Sequence, residues 1–384
     1  MTRIEEVEIS GLAGRSGNFH VLLQPDLNVF WGLNGAGKTT LLRILHSALS
    51  NNARTLVRLP FDEARVRFYS EDFDILIERT VSRKSFREEI AHEADLEDDD
   101  GFRDILIKNE MQWKTTFHGK RPARISPRFQ HQYLPISRLN SQPSTLRTEA
   151  GRTTRDEFAF EKAFVEAVQG LWVRLVNESY QRGSSVQQKG IADIMMLSVT
   201  GRSDHRPHPR LENLDPSEAY EIVVDFLRSQ IHSPRKRLSK SAFVKEYRTP
   251  ARQALVSIIL NLSDDVERAA EPLQRLTSLL NTMYVGSKRI VGTPQRLEIE
   301  TDGGPVELSS LSSGESQLLM ILLQCMNGGT SSILIDEPEL SLHLDWQRSL
   351  IGAMRTVNPD AQLLLATHSP EILASCDQRS IYEL

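Results

Sequence analysis

The sequence predicts an α/β fold in which a sheet is interrupted by a large, mostly helical insertion. Short apolar stretches alternate with turns in the first forty residues, as expected of strands. Strand-like patterns return after residue 286, and the apolar residues in between recur at helical spacing. We therefore predict one interrupted domain, formed by residues 1–141 and 287–384, and a helical insertion over residues 142–286.

Strand and helix signals occupy separate parts of the chain. Apolar residues over 158–175 form one helical stripe, and those over 255–283 have a roughly heptad spacing. Asp215-Pro216 has the residue types of a helix start, and Pro272 should bend or split the last helix. The predicted strands are residues 3–9, 19–23, 27–31, 64–69, 73–81, the start of 129–139, 288–291, 295–301, 331–336, 362–365 and 379–384.

Composition indicates an ordinary globular protein of a reducing compartment. The chain has 384 residues, of which 39% are hydrophobic and 25% charged, enough for a sizeable core. Its formal net charge of −5 argues against a protein that is basic over its whole surface. Cys325 and Cys376 have no metal-ligand spacing and suggest no disulfide framework. Because no apolar leader or membrane-length run is present, we expect a cytoplasmic location and no membrane partner.

Three polar segments are each open to two interpretations. The acidic run at residues 95–100 is typical of a solvated loop. His205 and His208 could bind a metal, but a polar loop is the simpler interpretation. The basic cluster Arg235-Lys236-Arg237 could contact nucleic acid or form a solvated turn.

A glycine-rich motif follows the predicted strand at 27–31. Residues 32–39 (GLNGAGKT) fit G-x-x-x-x-G-K-[ST] and precede a helix-like stretch. Glycines let the backbone approach phosphate oxygens, and the amides at a helix N-terminus supply positive potential. Lys38 should reach the β- and γ-phosphates, and the Thr39 hydroxyl should ligate Mg²⁺. The predicted nucleotide-binding residues of this motif are Asn34, Gly35, Ala36, Gly37, Lys38, Thr39 and Thr40.

Two carboxylates end the apolar strand at 331–336. Asp336 is placed to hold Mg²⁺, and Glu337 is placed to polarise an attacking water. Charges at the end of a buried strand require a compensating partner, because unpaired burial costs free energy. A metal ion with a nucleotide is such a partner.

The segment Leu311-Ser-Ser-Gly-Glu315 directly precedes an apolar helical run. Taken alone, it has the pattern of an N-cap with a capping-box glutamate. Together with the two motifs above, it resembles the signature LSGGQ of the ABC ATPase superfamily, in the form common in SMC-like, RecF-like and OLD-like heads. The resemblance implies that Ser312, Ser313, Gly314 and Glu315 contact the γ-phosphate in the P-loop of a partner head.

His368, in the segment ATHSP, resembles the switch histidine of the same superfamily. An imidazole at a strand end can sense the γ-phosphate and position water. The forms DEPELSLH (residues 336–343) and ATHSPEIL are similar to AAA-15/AAA-21 ATPase subunits of prokaryotic anti-phage defence systems of OLD, Septu and PARIS type. His343 stands where transporter ATPases have an aspartate. The resemblance covers about residues 1–81 and 305–384.

Two further assignments follow from the family pattern. Members of the family place a magnesium-ligating glutamine between core strands. Gln130 and Gln132 are the candidates, and we favour Gln132 as the metal ligand, with a structural role as the alternative. Arg15 could contact adenine or phosphate, or be an exposed loop residue.

The resemblance implies a P-loop NTPase of the ABC head type, with ATP and Mg²⁺ bound between two paired heads. We expect a homodimer or higher homo-oligomer that hydrolyses ATP through Glu337 and His368. Because the last predicted strand ends the chain, we expect output through a separate effector, such as a nuclease or toxin. The alternatives are a RecF-like repair ATPase that binds DNA and the ATPase component of a transporter.

Overall fold

The computed structural model describes residues 2–83, 111–119, 128–135, 154–201, 206–230, 238–284, 286 and 288–384, with side chains from 162 onward in the helix that begins at Thr154. The chain divides into two compact units. The first comprises Met1–Leu171, Leu279–Thr293 and Leu297–Leu384, and the second comprises Trp172–Ser278 and Pro294–Arg296. The insertion bounds at 142 and 286 stay a prediction.

The described strands all belong to the first unit. Each strand predicted from sequence has a counterpart here, whereas β6 and β10 have no counterpart in the prediction. In chain order they are β1 (Thr2–Ser10), β2 (Asn18–Leu22), β3 (Leu27–Trp31), β4 (Glu63–Ser70), β5 (Ile75–Ser82), β6 (Lys114–His118), β7 (His131–Pro135), β8 (Arg289–Gly292), β9 (Leu297–Thr301), β10 (Gly304–Val306), β11 (Ser332–Asp336), β12 (Gln362–Thr367) and β13 (Ile381–Glu383).

The helices are distributed over both units. The helix after Asp215 starts at Pro216 as predicted, with the Asp215 carboxylate accepting from Ser217 N at 2.7 Å. In chain order they are α1 (Lys38–Ser50), α2 (Thr154–Thr200), α3 (Pro216–Gln230), α4 (Lys240–Glu246), α5 (Pro250–Met283), α6 (Ser313–Asn327), α7 (Leu344–Val357) and α8 (Pro370–Ala374).

A five-stranded parallel sheet with the order β13-β3-β12-β11-β7 forms the centre of the first unit. Every residue of β11 and β12 is buried, as expected of strands covered on both faces. The continuous apolar sequences of these two strands therefore reflect their central position.

A second, antiparallel sheet packs over α1. Its order is β2-β1-β4-β5-β6, and the alternation of buried and partly buried residues along β4 and β5 shows that one face is turned inward. That face joins α1 and the parallel sheet in a single apolar cluster, which includes Ile9, Phe30, Leu41, Val66 and Ile77. A small antiparallel sheet, β10-β9-β8, completes the unit.

The second unit is helical and has its own core. Val223, Phe243, Val256 and Ile259 are buried together. Gly190 of α2 lies so close to α5 that a Cβ there would meet Leu262 Cδ2 at 2.7 Å. The Ser179 hydroxyl also donates to Ala269 O at 2.7 Å. These contacts join α2 to α5 within this unit.

Two interpretations of this region can be compared with the structure. α5 continues through Pro272 without being split, while a bend at this residue stays a prediction. His208 is buried, accepts from Arg210 N and pairs with Asp264 at 3.0 Å, so it is a structural residue. No metal-binding cluster of His, Cys, Asp or Glu is present among the described residues. The acidic run at 95–100, His205 and Arg235-Lys236-Arg237 lie outside these residues.

Candidate functional site

The carboxyl ends of the parallel strands bring the sequence motifs to one edge. In the sheet register, Asp336 lies beside Ala366 on one side and Pro135 on the other, and Thr367 lies beside Trp31. The next residues along each strand are the glycine-rich loop, Glu337 and His368. In open α/β sheets this edge is where ligands bind. The structure therefore places the three motifs together.

The glycine-rich loop, residues 32–37, has the backbone of a phosphate-binding turn. Gly35 and Gly37 have φ angles of 82° and 105°, which residues with side chains rarely adopt. A Cβ at Gly37 would also lie 3.1 Å from the Cβ of Ala13, in the turn at Leu12–Gly14. Asn34 and Gly35 are exposed, and Ala36 is buried beneath them. The exposed loop backbone is therefore open to a ligand.

Lys38 begins α1 and turns its side chain back over this loop. Its Nζ donates to Gly32 O at 2.7 Å and to Leu33 O at 3.2 Å, and the side chain is buried. Thr39 and Thr40 follow in the first helical turn and are partly buried. A cation and a helix N-terminus at one point create positive potential, which favours a bound anion.

Asp336 and Thr39 form the part of the site that fits a magnesium ion. Asp336 is 1% exposed, and its Oδ1 has no hydrogen-bond partner among the described residues. Burial raises the pKa of Asp336 to about 6, the nearby Thr39 hydroxyl lowers it, Glu337 raises it, and Arg43 and Lys38 lower it. A buried carboxylate oxygen without a donor, beside a hydroxyl, matches the oxygen ligands that Mg²⁺ prefers. These two residues would hold the ion.

Glu337 follows Asp336 in a strained backbone conformation. Its φ is 54°, a left-handed value that costs a non-glycine residue about 1 kcal/mol. The strain is held by the hydrogen bond from Glu337 N to Ala366 O at 2.8 Å. Such strain is concentrated at functional sites, because surrounding structure must maintain it. The bend carries Glu337 past the strand end, where a catalytic carboxylate is expected.

His368 is held by a second acidic residue, Glu339. The Glu339 Oε1 accepts from the backbone N of His368 at 2.8 Å and lies 3.1 Å from His368 Nδ1. Glu339 is 6% exposed, whereas the His368 side chain is 45% exposed. The backbone of His368 is therefore anchored by Glu339, while its side chain remains partly accessible.

The signature-like segment caps α6. Ser312 is the N-cap, and its amide and hydroxyl form a capping box with Glu315 at 2.7 and 3.3 Å. Glu315 Oε2 also pairs with Lys288 Nζ at 2.8 Å. Although burial raises the pKa of Glu315, hydrogen bonds from Lys288 and Ser312 bring it below the ordinary value. Glu315 Oε2 is thus occupied within its own chain, and its assignment as a nucleotide contact stays a prediction.

The remaining signature residues present a helix N-terminus to the surface. Ser312 and Ser313 are exposed, and Gly314 is buried. A Cβ at Gly314 would lie 2.6 Å from Ser341 O, so only glycine fits this contact. Further along α6, Gln317 Nε2 donates to Pro338 O at 2.9 Å. α6 is therefore fixed against the segment that follows the carboxylate pair.

The predicted metal ligand Gln132 does not lie at the strand ends. In β7 it is opposite Ile333, three positions before Pro135, which is opposite Asp336. Since a strand rises about 3.3 Å per residue, roughly 10 Å separates Gln132 from the end of the sheet. This separation is too large for direct coordination of an ion held by Asp336. Gln130 lies still further back, and the residues after Pro135 are outside the described range.

Sequence reasoning assigned no role to two residues of this site. Glu339 had a recognisable signal, since it is the fourth residue of DEPE. Arg43 had none, because only folding brings this α1 residue near Asp336. Arg15 is exposed in the loop after Leu12–Gly14 and has no contact that supports a ligand role.

A protein-family model matches most of the chain. A family model described as "AAA domain, putative AbiEii toxin, Type IV TA system" covers residues 27–374. The chain belongs to this family. Its AAA domain therefore runs from β3 to α8, includes the glycine-rich loop, the carboxylate pair and the signature-like segment, and is of the ATPase type.

Two proteins of known description are similar to part of this AAA-family chain. The Retron Ec83 probable ATPase of Escherichia coli is 31% identical over 103 residues, which cover 23% of this chain and 19% of that protein. The Retron Vc95 probable ATPase of Vibrio cholerae serotype O1 biovar El Tor is 29% identical over 93 residues, which cover 21% of this chain and 18% of that protein. The match thus spans about a fifth of the length of each relative.

Solved SMC heads are weakly similar in structure. The head bound to the C-terminal domain of ScpA from Pyrococcus furiosus has a TM-score of 0.44 and 14% identity, covering 100% of this chain and 93% of that one. The SMC head domain from Thermotoga maritima has a TM-score of 0.42 and 12% identity, and the match covers 99% of this chain and 94% of that one. Among the described residues, no helix of the AAA-family chain is long and apolar enough to cross a membrane.

Proposed function

We propose that this chain hydrolyses ATP in composite sites between paired heads and uses the nucleotide state to control a partner effector in anti-phage defence. The observation that carries the ATPase part is the buried Asp336 Oδ1, which lacks a hydrogen-bond donor beside Thr39 at the end of the glycine-rich loop. A divalent ion held by Asp336 and Thr39 would compensate for this arrangement. When bound, Mg²⁺ would neutralise negative charge on the phosphates.

The side chains around this point have complementary tasks in phosphoryl transfer. Lys38 and the loop amides bind and orient the phosphates, and Thr39 and Asp336 hold the ion. Glu337 accepts a hydrogen bond from the attacking water, and His368 contacts the γ-phosphate or that water. Positioning and electrostatics supply most of the catalysis in this class of reaction.

The pairing of heads is supported by the signature-like segment. Ser312 and Ser313 are exposed at the N-terminus of α6, where free backbone amides favour an anion. A partner's γ-phosphate completes this end of the helix. Closed two-fold pairs are the commonest symmetric assembly, and in such a pair each head serves both sites.

The defence role is supported by the DEPELSLH form and by the retron ATPase relatives. The basic cluster at 235–237, on which the DNA-repair alternative depends, lies outside the described residues. Cells that carry the chain with its neighbouring genes should lose phage protection when Lys38 becomes alanine. Unchanged protection, or an ATPase rate that rises severalfold with DNA, would favour the alternative.

The ATPase part is tested by nucleotide titration and turnover. Lys38→Ala should abolish Mg-ATP binding, because the phosphates lose their cation, whereas Lys245→Ala on the exposed surface of α4 should bind like wild type. Glu337→Gln should bind ATP, lose turnover by about 100-fold or more and accumulate as paired heads in native mass measurements. Wild-type affinity in Lys38→Ala, or wild-type turnover in Glu337→Gln, would disprove these assignments.

A further inference from the structure

The second glutamate of the DEPE segment, Glu339, has a geometry that the ATPase chemistry above does not use. Its carboxylate is almost entirely buried, and burial of a charged group costs free energy unless the charge is paired. Among the described residues, His368 is the only ionisable partner of Glu339. Its other oxygen, Oε2, is buried without a hydrogen-bond partner in the described part of the chain. Among the described residues, the Glu339 carboxylate is therefore paired with His368 alone.

Glu339 contacts both the backbone and the ring of His368. Its Oε1 accepts a hydrogen bond from the backbone N–H of His368 at 2.8 Å and lies 3.1 Å from the ring Nδ1, within ion-pair distance. A carboxylate carries negative charge and only acceptor atoms, so it favours a proton on the ring nitrogen that faces it. In the neutral ring the proton is then on Nδ1, and Nε2 has a free lone pair. Nε2 has no protein partner among the described residues.

The surroundings hold this pair in place. Ser369 N donates to the Thr367 hydroxyl oxygen at 2.9 Å, and the Ser369 hydroxyl donates to Gln347 Oε1 at 2.7 Å. Gln347 Nε2 in turn donates to Leu342 O at 2.9 Å. The segment after β12 is thus fixed to the segment after β11 by hydrogen bonds of His368 N and Ser369.

We propose that Glu339 is a positioning residue that fixes His368 as the Nδ1–H tautomer and presents Nε2 to the reacting centre. This proposal rests on the proposed ATPase function, and it deepens the role of His368. With its lone pair directed outward, Nε2 accepts a hydrogen bond from the attacking water. When the ring is protonated, the same atom donates to a γ-phosphate oxygen instead. Glu339 itself touches neither water nor nucleotide.

The test is the isosteric change Glu339→Gln in the full chain, with the exposed Glu300→Gln of β9 as a matched control. We expect kcat to fall roughly 10- to 100-fold, the usual cost of losing an orienting partner of a functional imidazole. The affinity for ATP, measured by titration, should stay within about twofold, because Glu339 makes no substrate contact. Glu339→Asp, with a shorter carboxylate, should recover part of the rate.

Histidine-labelled protein provides a readout that a purely structural role would not change. In ¹⁵N NMR spectra, the resonance that disappears in His368→Gln belongs to His368. It should report the Nδ1–H tautomer in wild type and in Glu300→Gln, and shift toward Nε2–H in Glu339→Gln. Identical His368 nitrogen shifts in wild type and Glu339→Gln would overturn the proposal, whether or not the chain hydrolyses ATP.

A double variant separates positioning from stability. Because Glu339 acts through His368, Glu339→Gln should reduce turnover no further in a His368→Gln background. Independent, multiplicative losses would contradict the proposal. Absence of any ATP turnover in wild type would instead disprove the proposed function and leave the tautomer measurement to decide the role of Glu339.

Discussion

At the scale of single residues, Asp336 carries the strongest evidence for a bound cation. Burial raises its pKa to about 6, so the native state holds the ionised carboxylate at a free-energy cost when no ion compensates the charge. Between about pH 4 and 6 the folded state binds more protons than the unfolded state, so this residue's contribution to stability falls as pH rises through that interval.

The first prediction concerns Asp336→Asn in magnesium-free buffer. The neutral amide avoids the cost of burying a carboxylate, so the variant should be more stable than wild type at pH 7, by on the order of 3 kcal/mol. The difference should shrink toward pH 4. Denaturant unfolding across this pH range measures it.

Magnesium with nucleotide should reverse the order at pH 7, because only the carboxylate holds the ion. The contradicting outcome is a difference between Asp336→Asn and wild type that does not change with pH. That result would show that the native carboxylate is not penalised, and the argument for a cation at this point would be lost.

At the scale of elements, the position of α6 depends on a glycine, Gly314, in its first turn. Gly314 allows the first turn of α6 to lie against the carbonyl of Ser341, and Gln317 holds Pro338 from the next turn. The exposed first turn of α6 and the segment that follows Asp336 and Glu337 are therefore connected through these two contacts. Any displacement of this turn is felt at that segment.

The second prediction follows from this contact. Gly314→Ala introduces a Cβ about 2.6 Å from Ser341 O, which backbone movement must relieve, and overpacking of this kind costs about 1–3 kcal/mol. We expect a lower melting temperature and reduced ATP turnover. The matched control is Gly352→Ala in α7, where a Cβ meets no atom within 4 Å and alanine favours the helix. Equal stability of the two variants would contradict the account.

The sequence predicted the elements better than the contacts between them. Alternation and apolar runs located β1 to β5 and β11 to β13, because these strands obey simple burial patterns. β6 was not predicted because its residues alternate only between exposed and partly buried, which is a weak strand pattern. Gln132 was misassigned since strand register, which a lone sequence does not reveal, decides whether a side chain reaches the end of a sheet.

At the scale of the whole molecule, two compact units share one chain. The first unit contains every strand of the described residues and all the proposed catalytic groups, whereas the second is helical with a separate core. The family match from residue 27 to 374 spans both. The glycine-rich loop and the carboxylate pair were predictable from motif and context. The capping box that occupies Glu315 and the Glu339–His368 pair required the folded structure.

The central claim is that each ATP site is completed by a second head, and a mixing experiment with two inactive variants tests it most directly. Lys38→Ala lacks a working phosphate site but keeps its signature segment. Ser313→Glu keeps the phosphate site but places a negative charge where the partner's γ-phosphate would lie, and a glutamate in the first helical turn should leave α6 intact.

Neither variant alone should turn over ATP. A mixture in equal amounts should recover about one quarter of the wild-type rate, because random two-fold pairing makes about half of the pairs mixed and each mixed pair has one intact composite site. A mixture as inactive as its components, from variants shown to exchange subunits, would contradict the composite site, and so would full activity of Ser313→Glu on its own.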